Sequence, residues 1–171
     1  ALYKYPQREF PYAKLVEEAR IRDKSHSEFE LTDTGAFDDH RYFDVWVEYA
    51  KADPDDILIR LTVANRGHER AVLHALPTLW FRNTWSWGRT GEGYWPKPKL
   101  ALMSANAILA EHASLGRYRL DVAPGPNGSL PAFLFTENET NFDRLYGFKN
   151  GARCVKDAFH EYIMNGRTAA V

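Results

Sequence analysis

Two carboxylates lie two residues apart at Glu137 and Glu139, a spacing that would place both on one face of an extended chain about 7 Å apart. Carboxylate pairs at such distances serve as acid and base, or as acid and nucleophile, in enzymes that hydrolyse glycosidic bonds. An acidic loop with solvated carboxylates has the same pattern, and such pairs arise often by chance. Glu137 and Glu139 are therefore weak carboxylate candidates, and a self-contained enzyme is the least favoured hypothesis.

Three of the five tryptophans fall within the thirteen residues Leu76–Gly88, where an apolar, strand-like segment runs into a polar loop. Trp80 and Phe81 lie in the strand-like part and are expected in the core. Trp85 and Trp87 would point the same way if the chain were extended. Indole faces on a loop either stack on the apolar side of a sugar ring or pack against a neighbouring domain.

Polar groups beside these indoles fit both interpretations, because Arg82, Asn83 and Ser86 could hydrogen-bond either a sugar or another domain. Tyr94 and Trp95, in the Gly- and Pro-rich loop that follows, have the same two interpretations. The candidates for sugar or interdomain contact are therefore Arg82, Asn83, Trp85, Trp87, Tyr94 and Trp95.

Other reactive groups show no pattern of a known site. The six histidines lack zinc-type spacing. The run 38–40 (Asp-Asp-His) is better explained as an Asp-rich turn than as a cation site, although oxygen-rich loops are usual hosts for a structural Ca²⁺. The chain has no Gly-x-Ser-x-Gly string and no Gly-rich loop that opens a helix. We therefore predict no metal site, no cofactor and no catalytic residue.

The bulk composition is that of a globular domain. A formal net charge of −1, with scattered Lys and Arg, argues against nucleic-acid and membrane-surface partners. No apolar run approaches the roughly 20 residues that span a bilayer, and no signal peptide is visible. Cys154 is the single cysteine, so an intrachain disulfide is excluded, and we expect a cytoplasmic protein.

Two-residue alternation dominates the hydrophobic pattern and predicts a mainly β fold. Strands separated by turn signals indicate an antiparallel β-sandwich with one or two short helices at the ends of the chain. Helices are predicted at 10–22 and 155–165. Strands are predicted at 41–50, 57–64, 71–76, 78–81, 100–104, 107–111, 118–122 and 132–136.

Six strings together carry a resemblance to a known family: YPQREFPY (5–12), LTDTG (31–35), DVWVEYAK (44–51), LWFRNTWSWG (79–88), FTENETNF (135–142) and VKDAFH (155–160). They resemble the N-terminal region of bacterial proteins related to glycoside hydrolase family 63, often labelled mannosyl-oligosaccharide glucosidase-like. The similarity runs the length of the chain, and the Trp-rich string is its most specific part.

The resemblance implies a sandwich of the supersandwich type that packs on an (α/α)₆ barrel of the same polypeptide and helps to wall the sugar pocket. The barrel carries the catalytic acid and base, and no catalytic residue of the family matches a position here. Residues 1–171 would form one sandwich domain of a longer protein that acts on an oligosaccharide or glycoside. We expect a non-catalytic docking domain, with a free-standing carbohydrate-binding module as the alternative.

A docking domain without its barrel should expose an apolar patch of more than roughly a few hundred Å². We expect this docking face to pair with a second copy of the chain at high concentration.

Overall fold

The computed structural model describes residues 1–171 and is mainly β, with six strands, three short α-helices and four 3₁₀ turns. The strands form two antiparallel three-stranded sheets. The chain divides into two compact units, Ala1–Pro77 and Thr78–Val171, each with one sheet. One sandwich domain over 1–171 stays a prediction. No helix has both the length and the apolar character needed to cross a membrane.

The first unit contains a sheet of order β1-β2-β3, formed by β1 (Leu2–Pro6), β2 (Tyr42–Asp53) and β3 (Asp56–Asn65). A turn at 54–55 joins β2 and β3, as expected for a Pro-Asp pair between alternating strands. Helix α1 (Tyr12–Ile21) lies between β1 and β2.

Register across this sheet places most of its apolar side chains on one face, while Leu2, Trp46 and Leu58 lie on the other. Val45 pairs with Val63, Val47 with Leu61 and Tyr49 with Ile59. Because alternate residues point to opposite faces, these residues share a face with others of the same parity on all three strands. The apolar face consists of Tyr3, Tyr5, Phe43, Val45, Val47, Tyr49, Ile57, Ile59, Leu61 and Val63.

The apolar face is largely uncovered within the chain. Phe43 is buried at one end, but Tyr3, Tyr49, Ile57 and Ile59 are exposed, and Ile59 keeps 54% of its accessible surface. The alternation in the sequence predicts which side chains share this face.

Ion pairs organise the opposite, polar face. The carboxylate of Asp44, a residue with only 4% exposure, accepts from Lys4 Nζ at 2.8 Å and from Arg66 Nε at 2.6 Å. Glu48 accepts from Arg60 Nε at 2.8 Å across the β2–β3 hairpin. The Asp44 pairs join residues from both sides of β2 and therefore fix the register of the sheet.

The second unit contains a sheet of order β4-β5-β6, formed by β4 (Lys99–Ser104), β5 (Ala107–His112) and β6 (Gly116–Asp121). The central strand β5 is the most buried, through Ala107, Ile108 and Ala110. Helices α2 (Phe142–Tyr146) and α3 (Ala158–Asn165) follow the sheet.

Most predicted elements are confirmed with small shifts at their ends, but three predicted strands are wrong. Segments 71–76, 78–81 and 132–136 form no strand. A strand needs a neighbour for its backbone N–H and C=O groups, and apolar composition alone does not supply one. Strand β1 and helix α2 were not predicted, and the total of three α-helices exceeds the one or two expected.

Backbone strain occurs in the 3₁₀ turn Asp38–His40. Asp39 and His40 have φ values of 57° and 56°, and they are the two non-glycine residues with positive φ. Asp and His adopt this left-handed region more readily than most residues, yet each costs about 1 kcal/mol or more. The turn therefore stores energy that contacts elsewhere in the unit must offset.

Replacing Asp44 with Asn should remove part of the acid sensitivity of the fold. Hydrogen bonds from Lys4 and then from Arg66 lower the pKa of Asp44 below its ordinary value. A depressed carboxyl pKa stabilises the fold above the unfolded-state value, and this contribution disappears as pH falls through the folded-state value. Urea midpoints measured from about pH 7 to about pH 2 should therefore fall less for Asp44→Asn than for the wild type.

Asp55→Asn, in the exposed turn of the same hairpin, is the matched control and should keep the wild-type pH profile. An Asp44→Asn profile parallel to the wild type at every pH would show that this carboxylate is not stabilised by its ion pairs.

Candidate functional site

A lysine joins the two candidate carboxylates in the second unit. Lys97 Nζ lies 2.5 Å from Glu137 Oε2 and 2.9 Å from Glu139 Oε1. Trp85 Nε1 donates to the same Glu139 oxygen at 3.0 Å. The structure thus brings together both predicted carboxylates and one predicted tryptophan, and we call Trp85, Lys97, Glu137 and Glu139 the Lys97 cluster.

Asn138 fixes the carboxylate segment from one side. The side-chain amide of Asn138 donates to the backbone carbonyl of Phe81 at 2.5 Å, and the backbone carbonyl of Asn138 accepts from Asn83 Nδ2 at 2.8 Å. The intervening Asn138 therefore holds the segment against the Trp-rich loop while Glu137 and Glu139 reach the same ammonium group.

Backbone bonds to residues 154–156 fix the segment from the other side. Glu137 N donates to the Cys154 carbonyl at 2.6 Å, and Lys156 N donates to the Glu139 carbonyl at 3.0 Å. These two bonds are two residues apart on the segment, as in an extended chain. Both carboxylates consequently share one side, as their spacing predicts.

Electrostatics keep Lys97 and Glu139 ionised. Burial raises the pKa of Glu139, but hydrogen bonds from Trp85 and Lys97 outweigh burial, so the pKa lies below its ordinary value. Burial lowers the pKa of Lys97, but hydrogen bonds from Glu137 and Glu139 outweigh it, so the pKa is raised. Glu139 Oε2 is buried without a hydrogen-bond partner. At neutral pH Glu139 is an acceptor and not a proton donor.

The tryptophans of the loop have separate roles. Trp85–Trp87 form one 3₁₀ turn, not an extended segment, so the expectation that Trp85 and Trp87 point the same way is wrong. Successive residues in a 3₁₀ helix are about 120° apart, which turns the two indoles in different directions. Trp85 binds Glu139, whereas Trp87 keeps 52% of its accessible surface.

The exposed Trp87 forms an aromatic pair with Tyr94, which is half-buried. Their ring centroids are 6.1 Å apart, and the guanidinium of Arg82 lies 5.8 Å from the Trp87 ring. Arg89 Nη1 donates to the Tyr94 hydroxyl at 2.9 Å. Arg82 and Arg89 form no salt bridge, so two cations border the rings without an acidic partner.

The remaining aromatic and polar residues of this region are either hydrogen-bonded within the chain or differ in burial from what the sequence predicts. Asn83 Oδ1 accepts from the Ser86 hydroxyl at 2.9 Å, so both ends of its amide are used within the chain. Trp95 is partly buried. Trp80 keeps 60% of its accessible surface, so its expected core position is wrong, and Phe81 is partly buried.

A groove of about 370 Å³ begins at Lys97 and is also lined by Lys99, His112 and Arg117. The His112 ring stacks on Phe81 with centroids 5.1 Å apart. The groove is wide open to solvent, unlike the concave clefts of roughly 300–1,000 Å³ that bind small molecules.

Sequence reasoning missed Lys97, Asn138 and His112. Pairing of Lys97 with Glu139 spans 42 residues and has no local pattern. The one available signal is the pair of prolines, Pro96 and Pro98, which restrict the backbone around Lys97. No group of three or more His, Cys, Asp or Glu side chains in the chain is placed to hold a metal ion.

Comparison with known proteins shows similarity to a yeast protein. The chain is 35% identical, over 198 aligned residues, to uncharacterized protein YMR196W of Saccharomyces cerevisiae, and the alignment covers the whole chain but 18% of the yeast protein. The chain thus spans about a fifth of the length of the relative it matches. No family model matches the chain, and no solved structure matches it significantly.

Replacing Trp85 with Phe should destabilise the second unit by about 1–2 kcal/mol, because the ring is kept while a charged, half-buried acceptor loses its indole donor. Trp87→Phe is the matched control and should change the free energy of unfolding by less than about 0.5 kcal/mol, since that indole is accessible and binds no carboxylate. Urea denaturation of both variants measures the difference. Equal stability losses would show that the Trp85–Glu139 bond contributes nothing.

Proposed function

We propose that this chain is the non-catalytic N-terminal sandwich domain of a glucosidase-like glycoside hydrolase. In this proposal the domain packs on a catalytic (α/α)₆ barrel of the same polypeptide and helps to shape the pocket for an oligosaccharide or glycoside. The observation that carries the proposal is the contrast within the second unit: the paired carboxylates are bound by Lys97, whereas the Trp87 ring is exposed beside a half-buried Tyr94.

The ion pairing of Glu137 and Glu139 with Lys97 supports a binding role for the chain and argues against a catalytic one. Glycoside hydrolysis needs one protonated carboxyl group beside the leaving oxygen and a second, ionised group across the bond. One ammonium bridges Glu137 and Glu139, and a lowered Glu139 pKa opposes the protonated form. The pair is therefore better suited to hold the Trp-rich loop in place than to transfer a proton.

The aromatic pair supports a role at a sugar pocket. An accessible ring offers an apolar surface for the C–H face of a sugar, and adjacent polar groups can hydrogen-bond its hydroxyls. Arg82 and Arg89 supply such groups beside Trp87 and Tyr94. An aromatic ring with adjacent hydrogen-bonding groups is sufficient to bind a sugar at the rim of a pocket, and no further reactive group is needed.

The apolar face of the first sheet supports a docking role. Monomeric proteins rarely leave large contiguous apolar surfaces uncovered, and such surfaces commonly mark interaction sites. The length of the yeast relative is consistent with a longer polypeptide that would supply the cover. We further propose that both sheets belong to one sandwich of the supersandwich type, since two-residue alternation runs through both units.

A free-standing carbohydrate-binding module is the second candidate. The observation that favours it is the 52% exposure of Trp87 in the chain by itself. For either candidate we propose a cytoplasmic location, because Cys154 is a free thiol and the chain has no disulfide suited to an oxidising compartment.

The purified chain should hydrolyse neither aryl glucosides nor aryl mannosides. Release of the aryl alcohol, followed by absorbance, measures the activity. Turnover that Glu139→Gln abolishes, but that the matched control Glu92→Gln retains, would overturn the non-catalytic assignment.

Titration with glucose- and mannose-type oligosaccharides, followed by tryptophan fluorescence, separates the two candidates. A docking domain should show no Trp87-dependent response at sub-millimolar sugar. A saturable response that disappears in Trp87→Phe would favour the free-standing module.

The uncovered apolar face should cause concentration-dependent self-association. Ile59→Lys places a charge near the middle of β3 on this face and should keep the chain monomeric in light scattering at concentrations at which the wild type dimerises. Thr62→Lys, on the opposite face of the same strand, is the matched control and should associate like the wild type. A wild type that stays monomeric at every concentration would contradict the expectation.

A further inference from the structure

We propose that a cleft at one end of the first sheet binds a neutral, hydroxyl-rich molecule of monosaccharide size. The cleft has a volume of about 600 Å³ and is lined by Gln7, Asp39, His40, Arg41, His68 and Glu69. It lies entirely within the unit Ala1–Pro77 and contains no residue of the Lys97 cluster or of the aromatic pair. This site goes beyond the proposed function and is independent of it.

The cleft is built where three strand ends meet. Strand β1 ends at Pro6, β2 begins at Tyr42 and β3 ends at Asn65, and the antiparallel register brings these ends together. Backbone bonds extend the pairing beyond the strands: Gln7 N donates to the Arg41 carbonyl at 3.0 Å, and Arg66 N donates to the Tyr42 carbonyl at 2.9 Å. The lining segments are therefore attached to the most regular part of the unit.

Asn65 fixes two walls of the cleft at once. Its side-chain oxygen accepts from Gln7 Nε2 at 2.6 Å and from Gly67 N at 2.9 Å, and its amide nitrogen donates to the Glu69 carbonyl at 2.7 Å. A Cβ at position 67 would lie 2.8 Å from Gln7 Nε2, so glycine leaves room for the Gln7 side-chain amide in its present position. The cleft is thus formed before any ligand arrives.

The third wall contains the strained turn. Asp39 and His40, both lining the cleft, are consecutive residues with positive φ. Strained conformations of this kind persist where the surrounding structure enforces them, and they are concentrated at binding and active sites. The strain places two polar side chains in the lining that a relaxed turn would direct differently.

The side chains of the lining suit hydroxyl groups. Asp39, His40 and His68 form no hydrogen bond or ion pair within the chain, and the Arg41–Glu69 pair is loose at 4.0 Å. The lining offers carboxylates and an amide oxygen as acceptors, a guanidinium as donor, and imidazoles that can do either. A hydroxyl both donates and accepts, so vicinal hydroxyls match this mixture. Two carboxylates against one guanidinium disfavour an anionic ligand.

Backbone amide chemical shifts of the isotopically labelled chain, titrated with D-glucose, D-mannose and glycerol, test the proposal. At least one of the three should cause saturable shifts at Gln7, Asp39–Arg41, His68 and Glu69. Absence of saturable shifts at these positions with all three probes would overturn the proposal. Shifts confined to Trp87 and Tyr94 would also overturn it, while supporting sugar contact at the aromatic pair.

Variants separate binding from folding. His68→Ala should weaken the affinity about tenfold, as expected for the loss of a hydrogen bond to the ligand. His40→Gly should weaken binding and also raise the melting temperature, because glycine relieves the positive φ. The matched control His74→Ala, at an exposed histidine of the same unit with no hydrogen bond or ion pair, should change neither. Unchanged affinity in both folded cleft variants would overturn the proposal.

Discussion

The register of the β1–β3 sheet, fixed by ion pairs at Asp44, is the constraint on which the rest of the first unit depends. Lys4 and Arg66 reach the carboxylate from segments on either side of β2. A shift of one residue would exchange the two faces and place charges among the apolar side chains. The same register brings three strand ends together at the polar cleft. One buried carboxylate therefore sets both the apolar face and the cleft.

The second unit uses charge for a different purpose. Lys97 bridges two carboxylates that would otherwise repel each other, and Trp85 completes the contact with its indole N–H. The loop then presents the exposed Trp87 ring beside the half-buried Tyr94, and the guanidiniums of Arg82 and Arg89 border these rings. Rigid support beneath an exposed aromatic ring is the arrangement expected of a binding surface, because little ordering is left to occur when a ligand arrives.

Local sequence patterns predicted the elements that are determined by residues close to one another in the chain. Alternation located β2 and β3, and it located the strands of the second sheet, because turn residues mark the ends of each hairpin. It failed at 71–81 and 132–136, where apolar composition has no partner strand. The short β1 was not predicted because its partner strand β2 lies about 40 residues away in the sequence. Lys97 was missed for the same reason, since it is about 40 residues from the two carboxylates that it joins. The directions of the Trp85 and Trp87 side chains are set by a 3₁₀ turn, which a two-residue hydrophobic alternation does not predict.

Covalent footprinting can decide whether the apolar face is a docking surface. Carbene labelling of Tyr3, Tyr49, Ile57 and Ile59 can be compared between the 171-residue chain and the proposed longer polypeptide at equal, dilute concentration. The docking proposal predicts strong labelling in the chain alone and protection of all four residues in the longer polypeptide, with Thr62 on the opposite face labelled equally in both. Equal labelling of the apolar face in the two proteins would contradict it.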